Sequence, residues 1–445
     1  MVGISGPQTV STKQARIATL ARQMPGAAMY SLSKHMDLDW LREAFRRTRK
    51  DGAVGVDGQT AEDYAENLED NLRSLLDRAK SGDGYRAPPV RRVHIPKGDG
   101  SKTRPLGIPT FEDKVLQRAV VMLLEPLYEQ DFYDFSYGFR PNRSPHAALE
   151  ALYENLWDVW GGWVLDVDIR NYFGSIGKKE LQDVLRQRVS DGVVGRLIGK
   201  WLRAGVQEDG AVHHPDAGTP QGGVISPILS NIFLHEVLDK WWAQDVQPRL
   251  RGQASMVRFA DDFVMVFSER EDALRVQAVL AKRFERFGLE VHPEKTRLVH
   301  FRRPYPDGSG KKPGSFDFLG FTHLWGRSRK GKQVLKRVTA KDRFSRGLKA
   351  INAWARSARH APIAKQAATL GAKLRGHYNY YGLRGNSESI SRFGHEARST
   401  WKKWLGRRSQ RAQMTWAKFH RLLKQHPLPF ARVRRREKQY RLAKL

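Results

Sequence analysis

The sequence predicts an α+β fold. Short apolar strands alternate with amphipathic helices up to about residue 335, and a region of helices alone follows. Three observations carry this. Apolar runs of strand length lie at residues 164–169 and 256–267. A hairpin signal, Gly98-Asp99-Gly100-Ser101, joins two further runs at 91–96 and 104–109. Beyond residue 336 the pattern is helical only. At 445 residues the chain exceeds one hydrophobic core, which stops growing near roughly 250 to 300 residues, so two or three domains are expected.

From the N-terminus, Asp37 caps a helix that carries Leu38, Leu41 and Phe45 on one face, and the glycines of 52–58 end it. A polar helix at 61–80 leads through the loop 81–89 into the first strand pair. Residues 113–130 form a helix turning Val115, Leu116, Ala119, Val120, Leu123 and Leu127 toward a core, and the glycine- and arginine-rich segment 136–144 is a loop. The strand at 164–169 is interrupted by Asp166 and Asp168, and 256–267 reads as two strands meeting at Asp261-Asp262. Between them lie a helix at 179–189, the loop 218–223 and a helix running on from Ser226. The amphipathic helix 272–287 is closed by Gly288, which accepts a left-handed C-cap, and 302–314 is a Pro/Gly/Lys-rich connector.

Composition narrows the chemistry. There is no run of ~18 apolar residues to span a membrane. The first thirty residues mix Gln8, Lys13, Gln14, Arg16 and Arg22 with short apolar pieces, unlike a secretory signal, so a cytoplasmic location is expected. The absence of cysteine excludes disulfides and thiolate zinc sites, leaving hard, oxygen-bound metals. Net charge is +31, and residues 336–445 hold 29 Lys and Arg against Asp342, Glu388, Glu396 and Glu437, which places most of the excess there. Such a block binds a polyanion by releasing its counterions, or else is a solvated basic face. Interleaved Trp354, Tyr378, Tyr380, Tyr381, Trp401 and Trp404 stack on bases or build a core, and favour a nucleic acid.

A carboxylate within an apolar strand is costly unless a cation or hydrogen bonds compensate it. Asp168 has that setting, as does the Asp261-Asp262 pair between Val257, Phe259, Phe263 and Val264. A structural salt bridge would explain any one of them. Two adjacent aspartates at a hairpin plus a third on another strand instead suit a magnesium-like ion. Two such ions, roughly 3.5 to 4 Å apart, stabilise the attacking and leaving oxygens of a phosphoryl displacement, as in nucleotidyl transfer, although hydrolases also use three acids.

Ordered motifs add a resemblance. The segments Val164-Leu165-Asp166-Val167-Asp168-Ile169-Arg170-Asn171-Tyr172-Phe173 and Arg258-Phe259-Ala260-Asp261-Asp262-Phe263 resemble the first catalytic motif and the aromatic-X-Asp-Asp hairpin of reverse transcriptases. Between them, Gly218-Thr219-Pro220-Gln221-Gly222-Gly223 resembles the loop that packs on nucleotide and template. Gly55-Val56-Asp57-Gly58, Arg104-Pro105-Leu106-Gly107-Ile108-Pro109, Tyr137-Gly138-Phe139-Arg140-Pro141, Phe318-Leu319-Gly320-Phe321 and Arg375-Gly376-His377-Tyr378-Asn379-Tyr380-Tyr381-Gly382 resemble group II intron reverse transcriptases and their maturase region. The likeness covers residues 30–410.

The resemblance implies a right-hand polymerase: an N-terminal extension and the start of the fingers at 1–90, fingers at 91–160, a palm with an antiparallel sheet at 161–335, and an all-helical thumb/maturase domain at 336–445. It implies RNA-directed DNA synthesis with two Mg2+ ions, or Mn2+ as substitute, on Asp168, Asp261 and Asp262. Lys97 and Arg104 would grip the triphosphate, Phe173 would exclude a ribose 2′-hydroxyl, Gln221 would lie beside the nascent pair, and Lys295 would protonate the departing pyrophosphate. Partners would be an RNA template, group II intron RNA above all, a DNA primer or target, and deoxynucleoside triphosphates. RNA would be bound through Arg375, Tyr378, Tyr381, Arg432, Arg434, Arg435 and Arg436. Where relatives often carry an Asp after the paired aromatics, this chain has Gly174 and Ser175. Without Cys and His nuclease ligands beyond the thumb, target cleavage by the protein is not expected. The alternative is a free-standing polymerase of the same type in DNA repair, phage defence or spacer acquisition.

Overall fold

The computed structural model describes residues 9–97, 102–208, 211–213, 222–305, 312–328, 330–409 and 413–433. Packing divides the chain into two units, Met1–Asn155 with Leu165–Leu298, and Leu156–Val164 with Val299–Leu445. The strands are β1 (Val90–Lys97), β2 (Lys102–Ile108), β3 (Trp163–Val167), β4 (Ile169–Arg170), β5 (Val206–Glu208), β6 (Ala211–His213), β7 (Ala254–Phe259), β8 (Asp262–Phe267), β9 (Glu290–Val291), β10 (Arg297–His300), β11 (Phe316–Phe318), β12 (Phe321–Arg327) and β13 (Gln333–Thr339). Helices and largely antiparallel sheets together give the expected α+β class.

In the first unit β1 and β2 form the expected hairpin, and β1 also pairs in parallel with β5, giving the order β2-β1-β5-β6. A second sheet, ordered β10-β3-β8-β7, carries the antiparallel β7–β8 hairpin with Phe259 opposite Asp262. A small ribbon pairs β4 with β9, Ile169 opposite Val291. The helix Phe111–Tyr128 is buried on several faces; the Thr110 hydroxyl caps it by accepting from the Asp113 amide. Trp40, from the Asp37-capped helix Leu38–Arg47, locks onto it by donating its indole N–H to the Ala119 carbonyl at 2.9 Å. Helix Ser226–Leu234 runs on into π-helical turns His235–Asp239 and Trp241–Val246, so one long element carries both Asn231 and Asp239 into the core.

The second unit joins the antiparallel sheet β11-β12-β13 to helices Lys341–Ser357, Ile363–Tyr381, Ser387–Leu405 and Trp416–Gln425. Its core is built from Leu370, Leu374, Tyr378, Ile390, Phe393, Trp401 and Phe419. The Trp401 indole also donates to Gln366 Oε1 at 2.9 Å.

Several local readings change. The polar helix at 61–80 breaks into Ala61–Glu66 and Leu68–Lys80 at Asn67, a residue with weak helix propensity. Helices Val10–Gln23, Pro145–Asp158 and Gly192–Arg203 are additional. The last contains Gly192, Gly195 and Gly199, which obscure its signal, yet Asp191 caps it and Val194, Leu197, Ile198 and Trp201 are buried. Strand β13 runs to Thr339, past residue 336, because Leu335, Arg337 and Thr339 alternate inward. Sequence divides the chain at 336, whereas packing groups everything from Val299 with the C-terminal helices.

Replacing Trp401 by Ala should remove a fully buried ring and leave Gln366 without its donor. Urea unfolding followed by circular dichroism should show a loss of about 3 to 5 kcal/mol, with Trp401→Phe costing far less.

Candidate active site

The β7–β8 hairpin turns in two residues, Ala260 and Asp261. Ala260 has φ 57°, a left-handed conformation that such tight turns require and that alanine adopts at a cost. Strand β8 anchors one side of the turn, since Phe263, Val264, Met265, Val266 and Phe267 are all buried. Arg258 anchors the other, although it is 0% exposed. Its guanidinium donates to Asp239 Oδ1 at 2.8 Å, to Asn231 Oδ1 at 3.0 Å and to the Ala260 carbonyl at 3.0 Å. Asp239, equally buried, takes both arms of the fork, so the pair is bidentate.

The loop 133–140 completes the support. The Tyr137 amide donates to the Arg258 carbonyl at 2.8 Å, and the Arg258 amide to the Phe135 carbonyl at 2.9 Å. Asn231 Nδ2 donates to the Gly138 carbonyl at 2.6 Å, and a Cβ on Gly138 would land on the Ala260 amide nitrogen. Glycine is therefore required there. Buried Arg140 fixes the same loop, pairing with Glu129 at 2.9 Å and donating to the Tyr133 and Ser136 carbonyls. Phe139, at φ 55°, stands exposed beside Phe259 with ring centres 6.2 Å apart.

Asp168 links β3 to β4. Its carbonyl accepts from the His292 amide at 2.8 Å, and its carboxylate accepts from Lys295 Nζ at 2.7 Å. The β4–β9 ribbon thus delivers Lys295 to Asp168. Burial pushes the Asp261 carboxyl above the usual carboxylate range; the negative charge of Asp168 pushes the same way, while its own backbone amide, Arg104 and Arg258 oppose it. Asp261 is therefore within electrostatic reach of both Asp168 and Arg104. Asp262 opens β8 on the exposed side. Among the described residues no three acids or histidines form a closed ligand cluster. The donor set around the turn consists of carboxylate oxygens, which suits a hard divalent cation.

Arg104 is exposed on β2, opposite Ile95. The side chain of Lys97 and all of Gln221 lie outside the described residues. A Cβ on Gly222 would land close to the Gly107 carbonyl, so Gly222 abuts β2, and the Ile225 amide donates to Gln117 Oε1 at 3.2 Å. Phe173 is half-buried, edge-on to Tyr172 at 5.2 Å, and the Tyr172 hydroxyl donates to the Ser230 carbonyl.

In the second unit Arg375 and Arg432 are exposed, whereas Arg434, Arg435 and Arg436 lie outside the described residues. Tyr378 is a correction. It is only 6% exposed within the helical core, and a Cβ on Gly394 would strike its hydroxyl, so its ring has no face for a base. Tyr381 is half-buried against Phe321 at 5.2 Å, and the Tyr380 hydroxyl donates to the Leu319 carbonyl at 2.8 Å. The maturase-like motif and the Phe318-Leu319-Gly320-Phe321 motif therefore pack on each other. The sequence reading does not give Asn231, Asp239 and Gly138 these supporting roles; the signal for them is Arg258, an arginine inside an apolar strand that demands a buried acid.

The family model described as reverse transcriptase (RNA-dependent DNA polymerase) matches residues 95–323, which include Arg104, Asp168, Asp261, Asp262 and Lys295. The chain belongs to the reverse transcriptase family. It is 34% identical to Protein YkfC of Escherichia coli over 72% of this chain and 90% of that protein. It is 41% identical to the group II intron-encoded protein LtrA of Lactococcus lactis, over 43% of this chain and 31% of that one. Nuclear intron maturase 2, mitochondrial, of Arabidopsis thaliana is 27% identical over 33% of this chain and 25% of its own length. The last two names agree with the resemblance to group II intron reverse transcriptases and maturases. No helix among the described residues is long and apolar enough to cross a membrane.

Arg258→Met should destabilise the fold by about 3 to 5 kcal/mol, because it strands the Asp239 carboxylate in the core. Adding Asp239→Leu should recover most of that stability in urea unfolding. DNA synthesis by the double variant should stay low, since the Ala260 carbonyl has lost its donor; full activity would show that the clamp does not govern the turn.

Proposed function

We propose that this chain is an RNA-directed DNA polymerase of the group II intron type, which also binds intron RNA to assist splicing and mobility. The observation that carries the reading is the Asp261 turn, held from below by Arg258 and sharing its electrostatic field with Asp168 and Arg104. Relatives named for introns favour an intron-borne protein over a free-standing one. In this reading residues 1–160 supply an N-terminal extension and fingers, 161–335 the palm and 336–445 the thumb.

Asp168, Asp261 and Asp262 would hold two Mg2+ ions, for which Mn2+ substitutes, and a cation there offsets the burial and repulsion that raise the Asp261 carboxyl. Bound, the ions supply charge stabilisation to the attacking 3′-oxygen and the leaving pyrophosphate. The protein's own residues do the remaining work. Lys97 and Arg104 neutralise and orient the triphosphate. The Phe173 ring leaves no room for a 2′-hydroxyl, Gln221 lines the nascent pair, and Lys295 carries the proton that pyrophosphate takes up. Exposed Arg375 and Arg432, with Arg434, Arg435, Arg436 and the outer edge of Tyr381, contact the RNA.

Asp261→Ala should abolish primer extension while RNA affinity in a filter assay stays within a few-fold of wild type. Parallel loss of both in a folded variant would contradict a purely chemical role.

The charge at the C-terminus makes a second expectation. RNA affinity should fall with salt on a log-log slope near roughly −0.7 to −0.9 per phosphate neutralised. Changing Arg432, Arg434, Arg435 and Arg436 together to Gln should flatten that slope and weaken binding most at low salt. An unchanged salt titration would make this tail a solvated one.

A further inference from the structure

We infer that Trp160, Arg303 and Tyr305, in the second unit, form a stacking platform for unpaired RNA bases. The inference rests on the reading of the chain as an RNA-binding polymerase, but on residues that the catalytic motifs do not include. Trp160 is 54% exposed although it is among the largest apolar side chains in the protein. It sits at φ 51°, where a bulky residue is strained, in the turn Trp160-Gly161-Gly162 that leaves helix Pro145–Asp158.

The turn is held rigidly in this conformation. The Gly161 amide donates to the Leu156 carbonyl at 2.7 Å, the Arg303 amide to the Trp160 carbonyl at 2.8 Å, and the Phe301 amide to the Gly162 carbonyl at 2.9 Å. A Cβ on Gly161 would land on the Phe301 carbonyl oxygen, so the two segments meet as closely as glycine allows. Beneath, Trp157 lies edge-on to Trp160 at 5.8 Å and to Trp325 at 5.5 Å, and the Trp325 indole donates to the Phe301 carbonyl. The exposed ring therefore stands on a packed aromatic base.

Cations flank it. The Arg303 guanidinium lies 4.9 Å from the Trp160 ring centre and 5.9 Å from that of Trp157, and Arg302 is exposed next to it. Tyr305, two residues beyond Arg303 in sequence, is itself 56% exposed. The nearest acids in sequence are Asp158, at the end of the preceding helix, and Asp307. Hydrophobic packing would turn the Trp160 ring inward, and phosphate binding needs no ring. Rigid exposed aromatics beside guanidinium groups match the requirements of base stacking with backbone neutralisation.

The test uses the full chain with a short fluorescein-labelled oligouridine, a blunt RNA duplex, and a primer-extension assay. Trp160→Gly removes the ring and accepts the positive φ, and Trp160→Phe keeps a ring. The Gly variant should bind oligouridine roughly 5- to 150-fold more weakly, with an unchanged salt slope, and the Phe variant should lose much less. Duplex affinity and extension on saturating template–primer should stay at wild-type levels. Unchanged oligouridine affinity in a folded Gly variant that still polymerises overturns the platform alone and leaves the patch as a protein-docking face. Equal losses on oligouridine and duplex also overturn it, by assigning the ring to duplex binding. A wild-type chain that does not polymerise would overturn the reading beneath.

Discussion

The buried ion pair between Arg258 and Asp239 is the constraint on which the candidate site depends. Either charge alone in that core would cost several kcal/mol, so the two are viable only together and in fork geometry. The pair does more than neutralise itself. A third arm of the guanidinium holds the Ala260 carbonyl, and Asn231 ties the same cluster to Gly138, which touches the turn from the other side. A left-handed alanine at a tight turn would otherwise relax and move Asp261 with it. The geometry of one carboxylate is thereby coupled to the helix from Ser226, the loop from Tyr133 and both strands of the hairpin.

That coupling answers an electrostatic problem. The protein carries a net charge of +31, yet the β7–β8 turn gathers negative charge. Local cations make this tolerable. Lys295 pairs with Asp168, and Arg104 and Arg258 act on Asp261 against burial and repulsion. The wider positive charge is concentrated after residue 336, away in sequence from these acids. In the proposed function it would hold a polyanion by counterion release, so that chemistry and affinity would respond differently to salt.

Much of this was legible in the sequence because strand periodicity and turn chemistry are local. Asp261-Asp262 between apolar residues marked the hairpin, and Asp168 in an apolar run marked the neighbouring strand. What sequence did not reveal depends on tertiary contact. Asp239 is unremarkable within a helical pattern until Arg258 is placed opposite it, and Gly138 carries its meaning only in the approach to Ala260. Tyr378 was misread for a different reason. Leu370, Leu374 and Tyr378 recur every four residues on one helix face, which is the signature of a core stripe, and an aromatic in a basic segment carries the same letter whether it stacks on a base or fills that stripe. Trp160 sat outside every motif, and its exposure follows from a glycine turn that no periodicity describes.

In the proposed function Asp168, Asp261 and Asp262 would together hold the divalent cations of a templated polymerase. The most direct measurement is an anomalous-scattering experiment on crystals of the chain with RNA template, DNA primer, incoming deoxynucleotide and Mn2+. Manganese peaks at Asp168, Asp261 and Asp262 beside the triphosphate, with Lys295 displaced from the Asp168 carboxylate, are the expected result. Manganese bound elsewhere, with Lys295 still paired to Asp168 in a complex holding nucleotide, would contradict it.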